Sequence, residues 1–186
     1  MTQQEKKILR FAAYEIREKG LSFTMSDLST RAGISKKTLY EIFRKKEDVV
    51  MKLIIESHGS IREQQNILYD DHSLTAVEKI KRILTVVPEF HFAFNYTFLI
   101  ELKKKYPAVY NKVNELLKFD WDRTFELMNE ALNKKQIKRF NKILFKEMYC
   151  STIMSVHDMM VLSDLNMTYE QTLTEIIDIM IEGILL

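Results

Sequence analysis

The sequence predicts an all-α protein, on three observations. Only 4 Gly and 2 Pro occur in 186 residues, too few for the many tight turns of an all-β chain. Apolar residues recur at three- and four-residue spacing along most of the length. Hydrophobic residues make up 46% and charged residues 29%, a balance that excludes intrinsic disorder and fits a packed globule. The lone cysteine, Cys150, excludes an internal disulfide framework and a multi-cysteine metal cluster. The opening MTQQEKKILRF lacks the apolar run of a signal peptide, and no stretch reaches about 18 consecutive apolar residues. A cytoplasmic protein that does not span a membrane is expected, with no cofactor and no metal.

About nine helices follow in order. Ile8, Leu9, Ala12, Ala13 and Ile16 hold helical spacing over 4–19, and Gly20 supplies a left-handed end. Ser22–Asp27 offers several N-caps for a second helix of about two turns, with Leu28 and Ala32 one turn apart and Gly33 closing it. Ser35 caps a third, in which Leu39 and Phe43 face inward. The periodicity then predicts helices over 47–68, 75–87 (ended by Pro88), 95 or 96 to 105, 108–134, 138–163 and 168–185. Gly59 inside the fourth costs about 1 kcal/mol relative to Ala.

Charge and geometry single out the first 46 residues. Residues 1–50 hold 11 Lys and Arg against 7 Asp and Glu, whereas 51–186 hold 17 against 19, and the last 40 have seven acids and no cation. A basic head on a near-neutral body suits a polyanion partner. Two short helices joined by Ala32-Gly33-Ile34-Ser35 read as a helix-turn-helix, whose second helix meets base edges in the DNA major groove. With Leu39 and Phe43 inward, Lys36, Lys37 and Tyr40 must point out, beside the hydroxyls of Ser35 and Thr38. Cations, hydroxyls and a phenol suit phosphates and base edges; the alternative is an ordinary solvated helix face.

The segment ILRFAAYEIREKGLSFTMSDLSTRAGISKKTLYEIFRKKEDVV, Ile8–Val50, resembles the N-terminal domain of TetR-type transcriptional regulators. Ile8-Leu9, Ala12, Gly20, Thr24, Ala32-Gly33-Ile34-Ser35, Thr38-Leu39-Tyr40, Phe43 and Lys46 match in register. Phe11, Ile16, Leu28-Ser29, Lys37 and Ile42 depart from the common residues, and Lys37 puts charge and bulk where Gly is frequent. The resemblance implies a reading head over 1–46 and a ligand-binding and dimerisation domain over 47–186. It also implies that Thr24 and Ser26 meet phosphate, that Lys36, Lys37, Thr38 and Tyr40 face the groove, and that Lys46 grips backbone phosphate. The alternatives are a helix cap for Thr24 and Ser26, surface packing for Tyr40 and simple solvation for Lys46. The fourth helix would link head to body, and the common outcome would be repression of a palindromic operator, released by a small-molecule effector. Control by a partner protein, or activation, is the other reading.

In the body, half of the chain's twenty aromatics fall in 90–125, the composition of a ligand pocket in a helical bundle or of a plain core. His91, Phe94, Asn95, Phe98, Trp121, Phe125, Met128 and Tyr149 are the candidate ligand contacts. The last two helices are apolar on more than one side, so both sides must be buried. A second copy is an economical cover, through Ile153, Val156, Met160, Leu173, Ile177, Met180 and Ile184; a central place in the monomer is the alternative. His58, His72, His91 and His157 are scattered and no HExxH, GxSxG, GxGxxG or P-loop pattern occurs. Asp70-Asp71-His72 offers too few ligands for a metal, and an enzyme is not expected.

Overall fold

A computed structural model describes residues 1–94, 96–118, 121–156 and 166–186. They form helices α1 Gln3–Lys19, α2 Met25–Ala32, α3 Lys36–Ile42, α4 Lys46–Asp70, α5 Ala76–Leu84, α6 Tyr96–Lys105, α7 Pro107–Lys118, α8 Asp122–Asn133, α9 Lys142–Val156 and α10 Tyr169–Glu182, with single 3-10 turns at Gly20–Ser22 and His91–Ala93. The one β feature among them is an isolated bridge between Ile137 and Leu185. No helix of the described residues is long and apolar enough to cross a membrane.

Capping boxes open four of the ten described helices. Thr2, Thr24, Thr75 and Thr168 each accept the N–H three residues on, and Glu5, Asp27, Glu78 and Gln171 return the bond to the cap backbone. The expected single helix over 108–134 is instead two helices. Trp121, buried, holds the N-cap position of α8 without a side-chain cap bond, and its indole N–H donates back to Leu117 O at 3.3 Å. The helix predicted to run to Val87 stops at Leu84, capped by Thr85 before Pro88 is reached.

The chain packs as two compact units. One comprises Met1–Gly59 with Pro88–Asn114, the other Ser60–Val87 with Glu115–Leu186. In the first, Ile8, Leu9, Phe23, Leu28, Leu39, Val49, Val50 and Leu53 are fully enclosed, as are Phe98 and Leu102. Each such side chain contributes about 1.5–3 kcal/mol by leaving water. The turn His91–Ala93 packs on α1, and α6 packs on the turn Gly20–Ser22. In the second, α5 packs closely on α8, and α10 on both α5 and α9, around a core holding Ile80, Ile83, Trp121, Met128, Phe145 and Cys150.

Candidate nucleic-acid interface

The α2–α3 pair is built by one glycine and two caps. Gly33 has φ 65° and ψ 37°, the left-handed conformation that ends a helix. Its N–H reaches Thr30 O at 3.2 Å, and the Ile34 N–H reaches Ser29 O at 3.1 Å, which is the Schellman arrangement. A Cβ at Gly33 would meet open space, so dihedral angle alone calls for glycine here. Ser35 then opens α3: its hydroxyl oxygen accepts the Thr38 N–H at 3.0 Å and lies 2.9 Å from Thr38 Oγ1.

Leu39, fully buried, and Phe43 anchor α3. Lys36, Lys37 and Tyr40 are exposed, Tyr40 at 49%, and among the described residues none makes a side-chain ion pair or hydrogen bond. The helix thus presents two cations and a phenol to solvent on a fixed frame. Thr38 is half-buried, its hydroxyl turned to Ser35.

The other DNA candidates are tied more closely to the fold. The Thr24 hydroxyl donates to Asp27 Oδ2 at 2.8 Å and accepts the Asp27 N–H at 3.1 Å. Its single O–H is therefore spent inside the capping box, and a phosphate would have to displace the Asp27 carboxylate to take it. The same bonds from the Thr24 N–H and hydroxyl hold the Asp27 carboxyl below its ordinary value. Ser26 sits half-buried in the first turn of α2, where backbone N–H groups lack intrahelical partners. Lys46 points inward rather than out. Its ammonium donates to Leu21 O at 2.9 Å and Phe23 O at 2.8 Å and lies 4.9 Å from the Phe23 ring centroid. Burial, with the nearby Lys105 charge, pulls it below the ordinary lysine value.

Two supporting groups, Glu15 and Glu101, escaped the sequence reading. Glu15 is buried and pairs with Arg31 Nε at 2.5 Å and Lys19 Nζ at 2.9 Å, tying α1 to α2. Its position three residues beyond Ala12, on the apolar stripe of α1, was the available signal. Glu101 of α6 accepts the Leu21 N–H at 2.6 Å and pairs with Lys105 at 2.9 Å; eighty residues separate it from the turn it holds. Gly20, at φ 58°, makes room for it, because a Cβ there would come within 2.8 Å of Glu101 Oε2.

The ligand candidates fall into both compact units. His91, Phe94 and Phe98 belong to the first, with the Phe94 and Phe98 rings 5.3 Å apart and tilted by 39°. Trp121, Phe125, Met128 and Tyr149 belong to the second, where Trp121 meets Tyr149 edge-on at 5.4 Å and Tyr149 OH donates to Leu84 O at 2.8 Å. Burial drives the Tyr149 phenol far above its ordinary value. Two cavities, of about 440 and 640 Å³, are lined by none of these residues. Asn95 lies outside the described residues.

The dimer candidates need correction. Ile153, Leu173, Ile177 and Ile184 are buried in the chain's own core, because α10 packs on α5 and α9 within one unit, and so they do not form an outer face. Met180 is half-buried, Val156 ends α9, and Met160 lies outside the described residues. The outward apolar side chains on these helices are Ile143, Leu144 and Met148 of α9 and Ile179 of α10, each more than half exposed.

Comparison with known proteins accords with this architecture. Residues 8–53 match the bacterial regulatory proteins of the tetR family. YvaF, an HTH-type transcriptional regulator of Bacillus subtilis (strain 168), is 31% identical over 180 residues, 97% of this chain and 95% of YvaF. The fatty acid degradation regulator FadR of Bacillus halodurans superposes with a TM-score of 0.76 at 21% identity, over 98% of this chain and 97% of that one. FadR of Bacillus subtilis, solved in complex with stearoyl-CoA, gives 0.72 at 22% identity, over 96% and 98%. At such identities the two structures show a shared fold. TetR-type regulators are not enzymes. With a helix-turn-helix at its start and a relative of nearly a third identity along almost its whole length, the chain belongs to the TetR family of transcriptional regulators.

Proposed function

We propose that the protein is a repressor that binds a palindromic duplex operator as a homodimer in the cytoplasm. Residues 1–46 read the DNA, and 47–186 dimerise and receive the control signal. One observation carries the reading: α3 holds Leu39 in the core while Lys36, Lys37 and Tyr40 stand outward without side-chain partners among the described residues. Free ammonium groups suit phosphate oxygens, and a free phenol suits a base edge or phosphate. Ser26 and the N-terminal N–H groups of α2 add phosphate donors, and Lys46 supports the head from within by holding the carbonyls of Leu21 and Phe23. The exposed apolar residues of α9 and α10 support the homodimer, whose two heads would read half-sites one helical turn apart.

For control we propose a small-molecule effector held in 47–186; the stearoyl-CoA bound by the Bacillus subtilis FadR supports a ligand with a long apolar part. A second reading, control by a partner protein, is favoured by the packing of Trp121 and Tyr149, whose polar atoms are already bonded to backbone carbonyls. Activation in place of repression needs only a different operator position.

The test is selection of duplexes from a random pool, followed by mobility shift across a salt series and by sedimentation. The expected result is a palindromic consensus, steep weakening with salt and a dimer at micromolar concentration. An asymmetric consensus, salt-independent binding or a monomer would refute the proposal.

A further inference from the structure

Residues 134–142 read KKQIKRFNK, five cations and no acid in nine positions, within a portion of the chain that is otherwise acidic. They form the turn from α8 into α9. Two of the five are occupied: Lys134 pairs with Glu130 at 2.7 Å, and Lys142 donates to Asn129 Oδ1 at 2.6 Å. Lys135, Lys138 and Arg139 are exposed, and among the described residues they make no side-chain ion pair or hydrogen bond. All three line the cavity of about 640 Å³, together with Asn133, Ile137, Phe140 and Leu186; no Asp or Glu side chain lines it, and the terminal carboxylate of Leu186 is the one anion among the lining residues, against three cations. That volume is typical of a small-molecule site.

The backbone beneath these cations is fixed. Lys135 has φ 55°, a left-handed conformation usually given to Gly or Asn at a helix end. Its N–H reaches Leu132 O at 3.1 Å, and that of Gln136 reaches Ala131 O at 2.9 Å. Lys138 N donates to Ile184 O at 2.8 Å, and Ile137 is buried beside it. Three like charges are thus held at one concave surface, where they raise the local concentration of anions. The Arg139 guanidinium adds a planar fork suited to two oxygens of one phosphate.

We propose that this cavity binds a phosphorylated small molecule of two or more negative charges. Its phosphates would lie on Lys135, Lys138 and Arg139, and its organic part over Ile137 and Phe140. None of these residues belongs to the 1–46 segment, and the site stands whether or not the DNA reading does.

The test is calorimetric titration of the full chain with ADP, inorganic pyrophosphate and adenosine at moderate ionic strength. ADP should bind saturably, one per chain. Pyrophosphate should bind several-fold more weakly, and adenosine not at all. The K138A/R139A double variant should weaken ADP at least tenfold with its thermal midpoint unchanged, whereas K36A/K37A should leave ADP binding as it is. Absence of saturable ADP binding, adenosine binding as tightly as ADP, or equal loss in K36A/K37A would overturn the proposal. Pyrophosphate binding as tightly as ADP would overturn the role of Ile137 and Phe140. Loss of duplex affinity in K138A/R139A with ADP binding intact would mark the turn as a nucleic-acid contact and overturn the small-molecule site.

Discussion

The outer face of α3 and the contact between α8 and α9 use similar side chains in opposite ways. On α3, Tyr40 and two lysines stand free above a single buried leucine. At α8–α9, Tyr149, Trp121 and Cys150 each give their polar hydrogen to a backbone carbonyl of the same unit, Leu84 or Leu117. The first arrangement leaves donors for something outside the chain. The second uses them up in holding the chain together. An aromatic with a polar tip is thus informative about function through what its tip touches, and composition alone does not report that.

Substitution should separate the two regions cleanly. The largest effect is expected in the second: Trp121→Ala should cost about 3–5 kcal/mol of stability, read as a lower urea midpoint. An unchanged midpoint would mean that the indole is not part of the packing. Next, Lys36→Ala with Tyr40→Ala should weaken operator binding at least a hundredfold, about 2.8 kcal/mol, while the thermal midpoint stays put. A fall in the midpoint with operator affinity intact would erase the contrast. Gly20→Ala should cost roughly 1–3 kcal/mol, from the positive φ and from the forced movement of Glu101. Its companion Gly33→Ala meets no atom and should suffer from φ alone, so a larger loss at Gly33 would sink the account of Glu101.

The smallest effect is in pH. Glu5, Asp27 and Glu78 are all held below their ordinary values by cap hydrogen bonds. A carboxyl lowered in the folded state stabilises it above the unfolded value, and that contribution disappears as pH falls through the folded value. A modest loss of helix stability is expected below the ordinary 3.8 to 4.5, and circular dichroism showing stability rising there would contradict it.

The head was legible because its signals are local. Gly33, Ser35 and Thr24 each act within four residues of themselves, so spacing along the sequence carries their meaning. The inward turn of Lys46 was not legible, since its partners are carbonyls more than twenty residues away. Glu101 was hidden for the same reason. Between Pro107 and Lys134 the apolar period continues past Trp121, and periodicity cannot register an indole turned back to bond a carbonyl of the preceding helix. At the C-terminal end, apolarity on two sides was visible, but which side the chain itself would take depended on α5, which lies some ninety residues earlier.

One ammonium group has a mechanical consequence. Lys46 opens α4, the longest helix among the described residues, while gripping the carbonyls of the turn that leads into α2. Any tilt or screw of that helix must tow the turn along, like a crank pinned to its rod. Displacement would reach α2 through Lys46 against the hold that Glu101 of α6 keeps on the same turn, with no need for a segment to melt and re-form.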